Sequence, residues 1–547
     1  MRESLPGNLA EAIVRCDTAA MTNRQRWTLV ATIIGSGAVF LDATIVNVAL
    51  KSIGEDLPAS AVEVLEGQNY VASGYLAVLA ALLILAGALS DRYGRRRIYT
   101  IGLIGFAATS ALCGLAPTLE WLIVFRLFQG AAGAFLIPGS LALITHAFQG
   151  PERGRAFGIW AASTSALTVL GPIVGGILVD TLSWRVAFLI NVPVLVVALW
   201  ATIRHVEESR DTEAKGRFDW LGALVAALAV GGLSFGLIRG EAKEWQDPAA
   251  WAALTIGVIA LIAFPILMAK RSDPLVPLSL FRSRVFTSVN LATFFIYGAL
   301  YVTFLYQALV FQGVLGYTAL AAGAVGIPIG VMLSLFSTKI GAIAGRTGAR
   351  RFLVAGPLIM ACGLLWYVRL PADSSPWLAS ISEPSTLVPP MSTLTDVLPA
   401  ILLFGAGISC VVAPLTTTLM GSVSGRFSGV ASAINNSISR VGSPLIGALM
   451  FIAVSATFYA VLGSLMPNLD MSSPEARAAF QPLNPPLAGA TPERVLAQTQ
   501  ASIDAFHLVA LINAGLLLVG AAISYIGLRE MPSPAQVGAS TAAPAAD

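Results

Sequence analysis

A single carboxylate, Asp42, lies inside the apolar stretch LDATIVNVAL, residues 41–50. A second charge, Arg126, opens another apolar stretch, RLFQGAAGA, residues 126–134. A charge near the centre of a bilayer costs at least about 2.5 kcal/mol on insertion scales, so each needs a reason to be there. Burial favours the protonated form of a carboxylate, whereas a nearby guanidinium favours the ionised form. Two interpretations follow: a carboxylate that loads and releases a proton, or a static ion pair that fixes helix packing.

The segments that carry these charges are predicted to cross a membrane. Of the 547 residues, 56% are hydrophobic and only 12% are charged, about half the charged share of a soluble domain. Apolar stretches of about twenty residues, long enough to span a bilayer as a helix, recur along the whole chain. The composition therefore predicts an all-α polytopic membrane protein whose surroundings are a lipid bilayer.

Fourteen transmembrane helices are predicted from these stretches. Their approximate limits are 27–50, 67–89, 97–115, 119–142, 154–179, 185–204, 217–238, 249–269, 285–312, 319–343, 352–370, 396–421, 428–465 and 503–528.

The distribution of basic residues predicts the orientation. With the N-terminus inside, 23 of the 33 Lys and Arg residues lie in inner loops, 7 in outer loops and 3 within the predicted spans. Inner loops of membrane proteins are enriched in Lys and Arg. Both termini are therefore predicted to be cytoplasmic.

This orientation predicts that Asp42 and Arg126 lie at the same depth. The first span runs outward and the fourth runs inward, and at 1.5 Å per residue both side chains fall some 5 Å outward of the midplane, on the order of one helical turn. The two residues can therefore form a pair.

Two inner loops reveal an internal repeat. GALSDRYGRRR (87–97) follows the second span and GAIAGRTGARR (341–351) follows the tenth, with Gly, Arg, Gly and paired Arg at the same spacing. Repeated halves that meet around a substrate site are a common plan of transporters. Two six-helix halves with two helices inserted between them give the observed offset of eight spans.

The predicted organisation has five parts: a cytoplasmic N-terminal segment (1–26), an N-terminal six-helix half (27–204), two inserted transmembrane helices (205–270), a C-terminal six-helix half (271–530) and a disordered cytoplasmic tail (531–547). Two outer loops, 371–395 and 466–502, are rich in Pro, Ser and Ala. They form either a cap over the outer mouth or disordered connections.

The motifs together resemble the major facilitator superfamily, and in particular its fourteen-span drug:proton antiporter branch. GALSDRYGRRR is similar to the loop motif of the superfamily. LDATIVNVAL, RLFQGAAGA and GPIVGG (171–176) are similar to motifs in the first, fourth and fifth helices of the branch. WRVAFLINVP (184–193) and FDWLGA (218–223) are also typical of it. The resemblance covers residues 25–530 and implies the major facilitator fold.

The resemblance assigns expected roles to three groups of residues. Asp42 and Arg126 are expected to couple transport to protons. The loop after the second span is expected to be a conformational latch, in which Asp91 pairs with Arg92, Arg95 or the arginines of the next inner loop; the alternative is that its basic residues only mark the inner side. The latch residues are Gly87, Asp91, Arg92, Gly94, Arg95 and Arg96.

The antiporter motif of the fifth helix is expected to allow close backbone contact between helices. Its small residues are Gly171, Gly175 and Gly176, and Pro172 can bend the helix. The family pattern places another Gly where this chain has Leu167, which predicts a less close helix crossing.

A substrate cavity is expected between the two halves. The residues expected to line it are Tyr75, Gln129, Tyr297, Tyr301, Gln307 and Asn436. Tyr297, Tyr301 and Gln307 belong to an aromatic stretch of the ninth span, FFIYGALYVTFLYQALVFQ (294–312), which is either a wall for a greasy ligand or helix core. Asn436 belongs to a polar face of the thirteenth span that either lines a cavity or forms hydrogen bonds between helices.

The predicted function is a secondary exporter that exchanges amphiphilic or hydrophobic small molecules, such as drugs, for protons across the plasma membrane. An exporter or flippase of lipids or native metabolites is the close alternative, because the predicted spans of the C-terminal half hold no deeply placed carboxylate for a cationic drug. A membrane enzyme is the remote alternative: the sequence has no HExxH and no GxxxxGK[ST] motif. No catalytic residue, metal, cofactor or nucleic-acid partner is predicted, and the family resemblance implies a monomer.

Overall fold

The computed structural model describes residues 21–60, 62–148, 150–210, 219–243, 245–272, 274–423, 428–471, 473–487 and 489–528. Most of the predicted N-terminal segment and all of the predicted disordered tail, 531–547, lie outside the described residues. Every long regular element within the described ranges is helical.

Eighteen α-helices are described in these ranges. They are α1 Asn23–Asp56, α2 Val64–Asn69, α3 Tyr75–Tyr93, α4 Arg95–Gly114, α5 Leu119–Ala147, α6 Gly150–Thr181, α7 Trp184–Leu189, α8 Asn191–His205, α9 Trp220–Ala242, α10 Pro248–Lys270, α11 Arg284–Leu309, α12 Ala319–Ala324, α13 Ile327–Thr347, α14 Arg350–Tyr367, α15 Leu398–Gly421, α16 Ser428–Leu465, α17 Pro474–Ala479 and α18 Pro492–Gly527.

Eleven helical segments of the described chain are long and apolar enough to cross a membrane. The other three predicted spans coincide with α3, α6 and α14, which are not among these eleven. The all-helical membrane fold is therefore confirmed, and the count of fourteen crossings stays a prediction.

The last helix begins earlier than the sequence predicts. The predicted span starts at residue 503, whereas α18 begins at Pro492, because Thr491 caps it and proline fits the first helical turn. Polar residues in its first turns lower the local hydropathy and hide them from a search for apolar runs. The outer loop therefore includes three turns of α18.

The repeat predicted from the two inner loops is present in the backbone. Gly94 separates α3 from α4 with φ 111°, and Gly348 separates α13 from α14 with φ 94°. A positive φ of this size favours glycine, which has no Cβ to clash. Equivalent turns therefore join the second and third helices of each half.

The helices pack as two bundles bridged by the inserted pair. In the first bundle α1 packs against α5, α6 and α8, and in the second α11 packs against α16 and α18. Helices α9 and α10 pack on each other, and α9 also contacts α3 of the first bundle and α16 of the second. A salt bridge from Arg239 of α9 to the buried carboxylate of Glu66 in α2 (3.2 Å) holds the inserted pair to the first bundle.

Candidate functional site

The predicted pair of Asp42 and Arg126 is present. Asp42 of α1 is completely buried, Arg126 of α5 is 1% exposed, and Nη1 of Arg126 donates to Oδ2 of Asp42. The two residues therefore form the contact that their equal predicted depth allows.

Three further groups complete the coordination of this pair. Nε2 of Gln129 and Nδ2 of Asn191 donate to Oδ1 of Asp42 at 3.0 and 3.1 Å. Nη1 of Arg126 also donates to Oε1 of Gln129 at 2.8 Å, and its Nε donates to the carbonyl of Val71 at 3.1 Å. A buried charge is tolerated when its partners satisfy it in this way.

Ser110 of α4 joins the two amides. Its hydroxyl accepts from Gln129 at 3.2 Å and from Asn191 at 3.0 Å, and it donates to the carbonyl of Phe188 at 2.9 Å. The ring of Tyr75 faces the guanidinium of Arg126, 4.0 Å from its carbon to the ring centroid. We call Asp42, Tyr75, Ser110, Arg126, Gln129 and Asn191 the Asp42 network.

Two members of the Asp42 network were predicted to line the substrate cavity. Tyr75 and Gln129 are both completely buried, and Tyr75 donates its hydroxyl to the carbonyl of Val39 at 3.2 Å. The structure therefore places them among the groups that hold the ion pair.

The sequence analysis did not single out Ser110 or Asn191. Asn191 lies within the quoted motif WRVAFLINVP, where it is a lone amide in an apolar run. That isolation is the same signal that drew attention to Asp42, and it could have identified Asn191 as a buried partner.

Three donors from two helices point at the two oxygens of Asp42. Removal of either charge would leave the other buried without its counter-charge.

The loop that is predicted to be cytoplasmic contains a carboxylate that was not predicted from the sequence. The backbone N–H groups of Arg96 and Arg97 donate to Oε1 and Oε2 of Glu208, both at 3.1 Å. Glu208 thus caps the N-terminus of α4, where an anion is favoured by the unpaired N–H groups and the helix dipole. A Cβ at Gly94 would lie 2.7 Å from Oε1 of Glu208, a flexible side chain that can move aside, so the positive φ of 111° is what requires glycine at this turn.

The predicted latch is described only in part. The side chain of Asp91 lies outside the described residues, as do those of the basic residues in the next inner loop. Arg92 is exposed and its guanidinium lies 5.8 Å from the ring of Tyr93. The side chain of Arg96 donates to the carbonyl of Ile203 at 2.9 Å, and the backbone N–H of Arg95 donates to the carbonyl of Ser209 at 2.9 Å.

Gly87 does not create an unusually close helix contact in this conformation. A Cβ added there would lie 3.6 Å from Cβ of Pro138, an ordinary van der Waals distance. Space alone therefore does not require glycine at this position in this conformation.

The antiporter motif of α6 packs in two directions. A Cβ on Gly171 or Gly175 would lie 3.2 Å from backbone atoms of α1, the carbonyl oxygen of Leu41 and Cα of Ile45. Gly176 faces the second bundle, where a Cβ would lie 2.7 Å from the carbonyl carbon of Ala319. The close contacts expected of this motif are present both within the first bundle and between the two bundles.

The departure at Leu167 is matched by a glycine on the opposite helix. A Cβ added to Gly37 of α1 would collide with the side chain of Leu167. The small residue at this crossing is therefore supplied by α1, so the larger side chain of α6 does not push the helices apart.

The outer ends of the two bundles are closed against each other. Asp180, at the end of α6, accepts hydrogen bonds from the backbone N–H groups of Ala319 and Leu320 at 3.0 and 2.6 Å and so caps α12. Gln68 of α2 and Asn484 of the outer loop exchange two amide hydrogen bonds, at 3.0 and 3.2 Å, and both are buried. The described part of loop 466–502 therefore packs as a cap over the end of the bundles that is predicted to face outward.

The aromatic stretch of α11 is mainly helix core. Phe311 is completely buried and stacks on Tyr317 with ring centroids 5.2 Å apart. The buried side-chain amide oxygen of Gln307 accepts a hydrogen bond from the hydroxyl of Tyr367 at 3.3 Å, inside the second bundle. Tyr297 and Tyr301 are half-buried, with ring centroids 6.4 Å apart, and remain the members that can contact a ligand.

The polar face of α16 serves partly as a contact between helices. Asn435 donates to Asn290 and Thr293 of α11 at 3.1 and 2.9 Å. Asn436 is half-buried, and its amide donates to the carbonyl of Ser432 in its own helix at 3.0 Å.

No group of three or more His, Cys, Asp or Glu residues that could hold a metal ion occurs among the residues that the structure describes. This observation concerns the described ranges only.

Residues 32–448 match the model of the Major Facilitator Superfamily. The multidrug resistance protein Stp of Mycobacterium tuberculosis (strain CDC 1551 / Oshkosh) is 32% identical over 460 residues, which cover 83% of this chain and 80% of that protein. The tetracenomycin C resistance and export protein of Streptomyces glaucescens is 31% identical over 525 residues, which cover 92% of each chain. The puromycin resistance protein pur8 of Streptomyces alboniger is 33% identical over 433 residues, or 78% of this chain and 81% of that protein.

Solved structures share the fold at low sequence identity. A bacterial homolog of the human lysosomal transporter Spinster, in an inward-facing and unoccupied conformation, has a TM-score of 0.63 and 18% identity, covering 93% of this chain and 98% of its own. The peptide transporter PepTSo, of the POT family, has a TM-score of 0.62 and 12% identity with the same coverage.

Proposed function

The chain belongs to the major facilitator superfamily, and from this membership and the Asp42 network we propose that it is a secondary exporter that exchanges small amphiphilic molecules for protons. The substrates leave the cytoplasm through the space between the two bundles while protons enter. The protein sits in the plasma membrane with both termini in the cytoplasm and works as a monomer.

The relatives support drugs as the substrate class. Their names refer to multidrug resistance, to resistance against puromycin and to resistance against and export of tetracenomycin C. The similarity extends over most of each chain, so it includes both bundles. A membrane transporter also accounts for the chain better than a membrane enzyme does.

Proton coupling rests on one observation, the complete burial of Asp42 against Arg126 in a network that reaches α1, α3, α4, α5 and α8. A change of charge at Asp42 alters contacts of every helix in that set. Protonation of Asp42 can therefore change the packing of these helices when the bundle opens to one side or the other.

The cytoplasmic loop is proposed to lock the inner ends of the first bundle. In this proposal Asp91 anchors the charges of the loop, and Glu208 fixes the turn around Gly94 from the opposite side. In the second bundle Gly345 stands at the position of Asp91, so the charge lock belongs to the first half only.

Export of lipids or native metabolites is the second candidate. The predicted spans of the C-terminal half carry carboxylates only at their ends, at Asp396 and Asp504, and a dicationic drug would call for acids deeper in the cavity. Neutral, zwitterionic or lipid-like substrates need no such acids.

Transport into proteoliposomes tests both candidates. Purified full-length protein is reconstituted, a pH gradient is imposed, and accumulation of cationic dyes, neutral antibiotics and lysolipids is measured. Accumulation of dyes or antibiotics that stops when the gradient is dissipated supports drug:proton antiport. Movement of lysolipids alone would favour the second candidate, and movement that ignores the gradient would contradict proton coupling.

A further inference from the structure

Arg440 of α16 is a buried cation without a carboxylate partner in the part of the chain that the structure describes. Its side chain is 3% exposed, and its Nε has no hydrogen-bond partner. Among the residues that the structure describes, no carboxylate lies within ion-pair distance of its guanidinium. Arginine keeps its charge in a protein, so it cannot relieve the cost by losing a proton.

The guanidinium of Arg440 faces the boundary between the two bundles. Its carbon lies 5.1 Å from the centroid of the Phe40 ring, which belongs to α1 of the first bundle. Phe40 precedes Asp42 by two residues and is half-buried. The contact is a cation–π interaction, which attracts a cation but leaves its hydrogen-bond donors unused.

The same face of α16 offers further unused polar groups. Ser437 and Ser443 lie three residues before and after Arg440, so the three share a helix face. Both serines are buried, and the hydroxyl of Ser437 has no partner. A guanidinium and a hydroxyl three residues apart on one helix face can together donate to an anionic oxygen.

We propose that Arg440, with Ser437, binds the anionic head of an acidic amphiphilic substrate, such as a carboxylate, between the two bundles. This inference rests on the proposed export function and specifies its substrate class. Asp42 is a poorer partner for Arg440, because Arg126, Gln129 and Asn191 already donate to its oxygens. A cationic substrate would be repelled from the same surface.

Binding of three probes with one apolar body and different heads tests the inference. Pyrenebutyrate is anionic, its methyl ester is neutral and pyrenebutylamine is cationic. Full-length protein in nanodiscs is titrated with each probe at neutral pH, and energy transfer from tryptophan to pyrene reports binding above the level of empty nanodiscs. The wild type is expected to bind the carboxylate about tenfold more tightly than the ester.

Variants assign this preference to Arg440. Arg440→Gln is expected to abolish the preference and to keep ester binding within about twofold, whereas Arg440→Lys retains part of it because the charge remains. Arg369→Gln is the matched control, since Arg369 also lies on an aromatic ring, Trp366 at 4.7 Å, but is exposed on the outer side. Elution as a single species in size-exclusion chromatography establishes that each variant is folded.

Three results would overturn the inference. The folded wild type binds the carboxylate and the ester equally tightly, or it does not bind the carboxylate. In the third, Arg440→Gln lowers the affinity for all three probes equally. Pairing of Arg440 with Asp42 in another state of the carrier predicts a different pattern, in which Arg440→Gln slows pH-driven export of every probe and leaves their order of binding unchanged.

Transport of the same probes separates this inference from the proposed function. If the wild type and Arg440→Gln both export the ester under a pH gradient and neither prefers the carboxylate, only the anion site is wrong. If the carboxylate preference depends on Arg440 but no probe moves with the gradient, proton antiport is wrong and the anion site stands.

Discussion

Asn191 donates its side-chain amide to Oδ1 of Asp42 at 3.1 Å, and this hydrogen bond joins α8 to α1 in the buried interior of the first bundle. The same amide donates to Ser110 of α4 at 3.0 Å. One side chain thus connects the charge of Asp42 to two further helices, which makes Asn191 a positioning residue for the proposed proton site.

Asn191→Ala is expected to destabilise the protein by about 1–2 kcal/mol and to lower pH-driven export, because it leaves Asp42 and Ser110 each short of one donor in a buried site. The thermal unfolding midpoint and accumulation in proteoliposomes measure the two effects. Gln500→Ala is the control, since its exposed amide also donates to a carboxylate, that of Asp504 at 2.9 Å. Equal effects of the two substitutions would show that the Asp42 contact is unimportant.

The orientation predicts which loops are accessible from each side. Single cysteines at Arg210 and Leu275 should react only with reagents that reach the cytoplasm, and those at Ser382 and Asn468 only with reagents outside. The outer positions are exposed and avoid Asn484, whose buried amide pair with Gln68 a label would disrupt. A position labelled from the wrong side would contradict the fourteen-span topology and the repeat argument with it.

The ion pair could be predicted from the sequence because hydropathy and the basic loops place both residues along the membrane normal. The depth of a residue in the membrane does not determine toward which neighbouring helix its side chain points, however. The inward faces that bring Gln129, Ser110 and Asn191 to Asp42 depend on how five helices pack, and no local pattern contains that information. For the same reason Tyr75 was expected in the cavity but lies in the network.

Contacts between distant segments were the least predictable. Glu208 caps α4 from more than 100 positions along the chain, and Asn484 pairs with Gln68 across 416 positions. Neither residue lies in an apolar run or near a quoted motif, so nothing in its neighbourhood indicates a partner. The repeat at Gly94 and Gly348, in contrast, was predictable, because both glycines occupy the same place in the repeated loop and glycine is the residue that a turn with positive φ favours.

Glu208→Ala is expected to destabilise the protein by about 1 kcal/mol, because it removes the anion that caps α4. Glu207→Ala is the matched control, because Glu207 is the neighbour of Glu208 in the sequence and forms an exposed ion pair with Arg24. Such pairs contribute between about 0 and 1 kcal/mol. Chemical or thermal unfolding of the two variants in the same detergent gives the comparison. If Glu207→Ala destabilises the protein as much as Glu208→Ala does, the cap contributes no more to the free energy of unfolding than an exposed ion pair does.

Gly176→Leu is expected to prevent closure of the outer ends, because its side chain would enter the backbone of α12 at Ala319. Export should fall at least about tenfold, and a cysteine at Ser502, which is buried against Leu483 of the outer loop, should become more reactive toward an external thiol reagent as the cap loosens. Gly515→Ala is the control, since a Cβ there meets nothing within 4 Å. Retained export with an unreactive cysteine would mean that close contact between α6 and α12 is not needed for the cycle.

Asp42→Asn is expected to abolish accumulation driven by a pH gradient while substrate binding and exchange without a gradient partly survive. Asparagine keeps the shape of the side chain and removes the proton-binding group. Arg126→Ala should be worse for stability, by about 3–5 kcal/mol, because it leaves Asp42 buried without its counter-charge. Transport with and without an imposed gradient, together with the unfolding midpoint, distinguishes loss of coupling from loss of the fold.

The decisive comparison is between Asp42→Asn and Asp504→Asn. Asp504 lies near the outer end of its predicted span, where it accepts from the side chain of Gln500 at 2.9 Å, so its loss should leave the gradient dependence unchanged. Full pH-driven accumulation by Asp42→Asn would contradict its role in coupling. The carboxylate would then only hold α1 against α5, and the energy for export would have to enter through a different group.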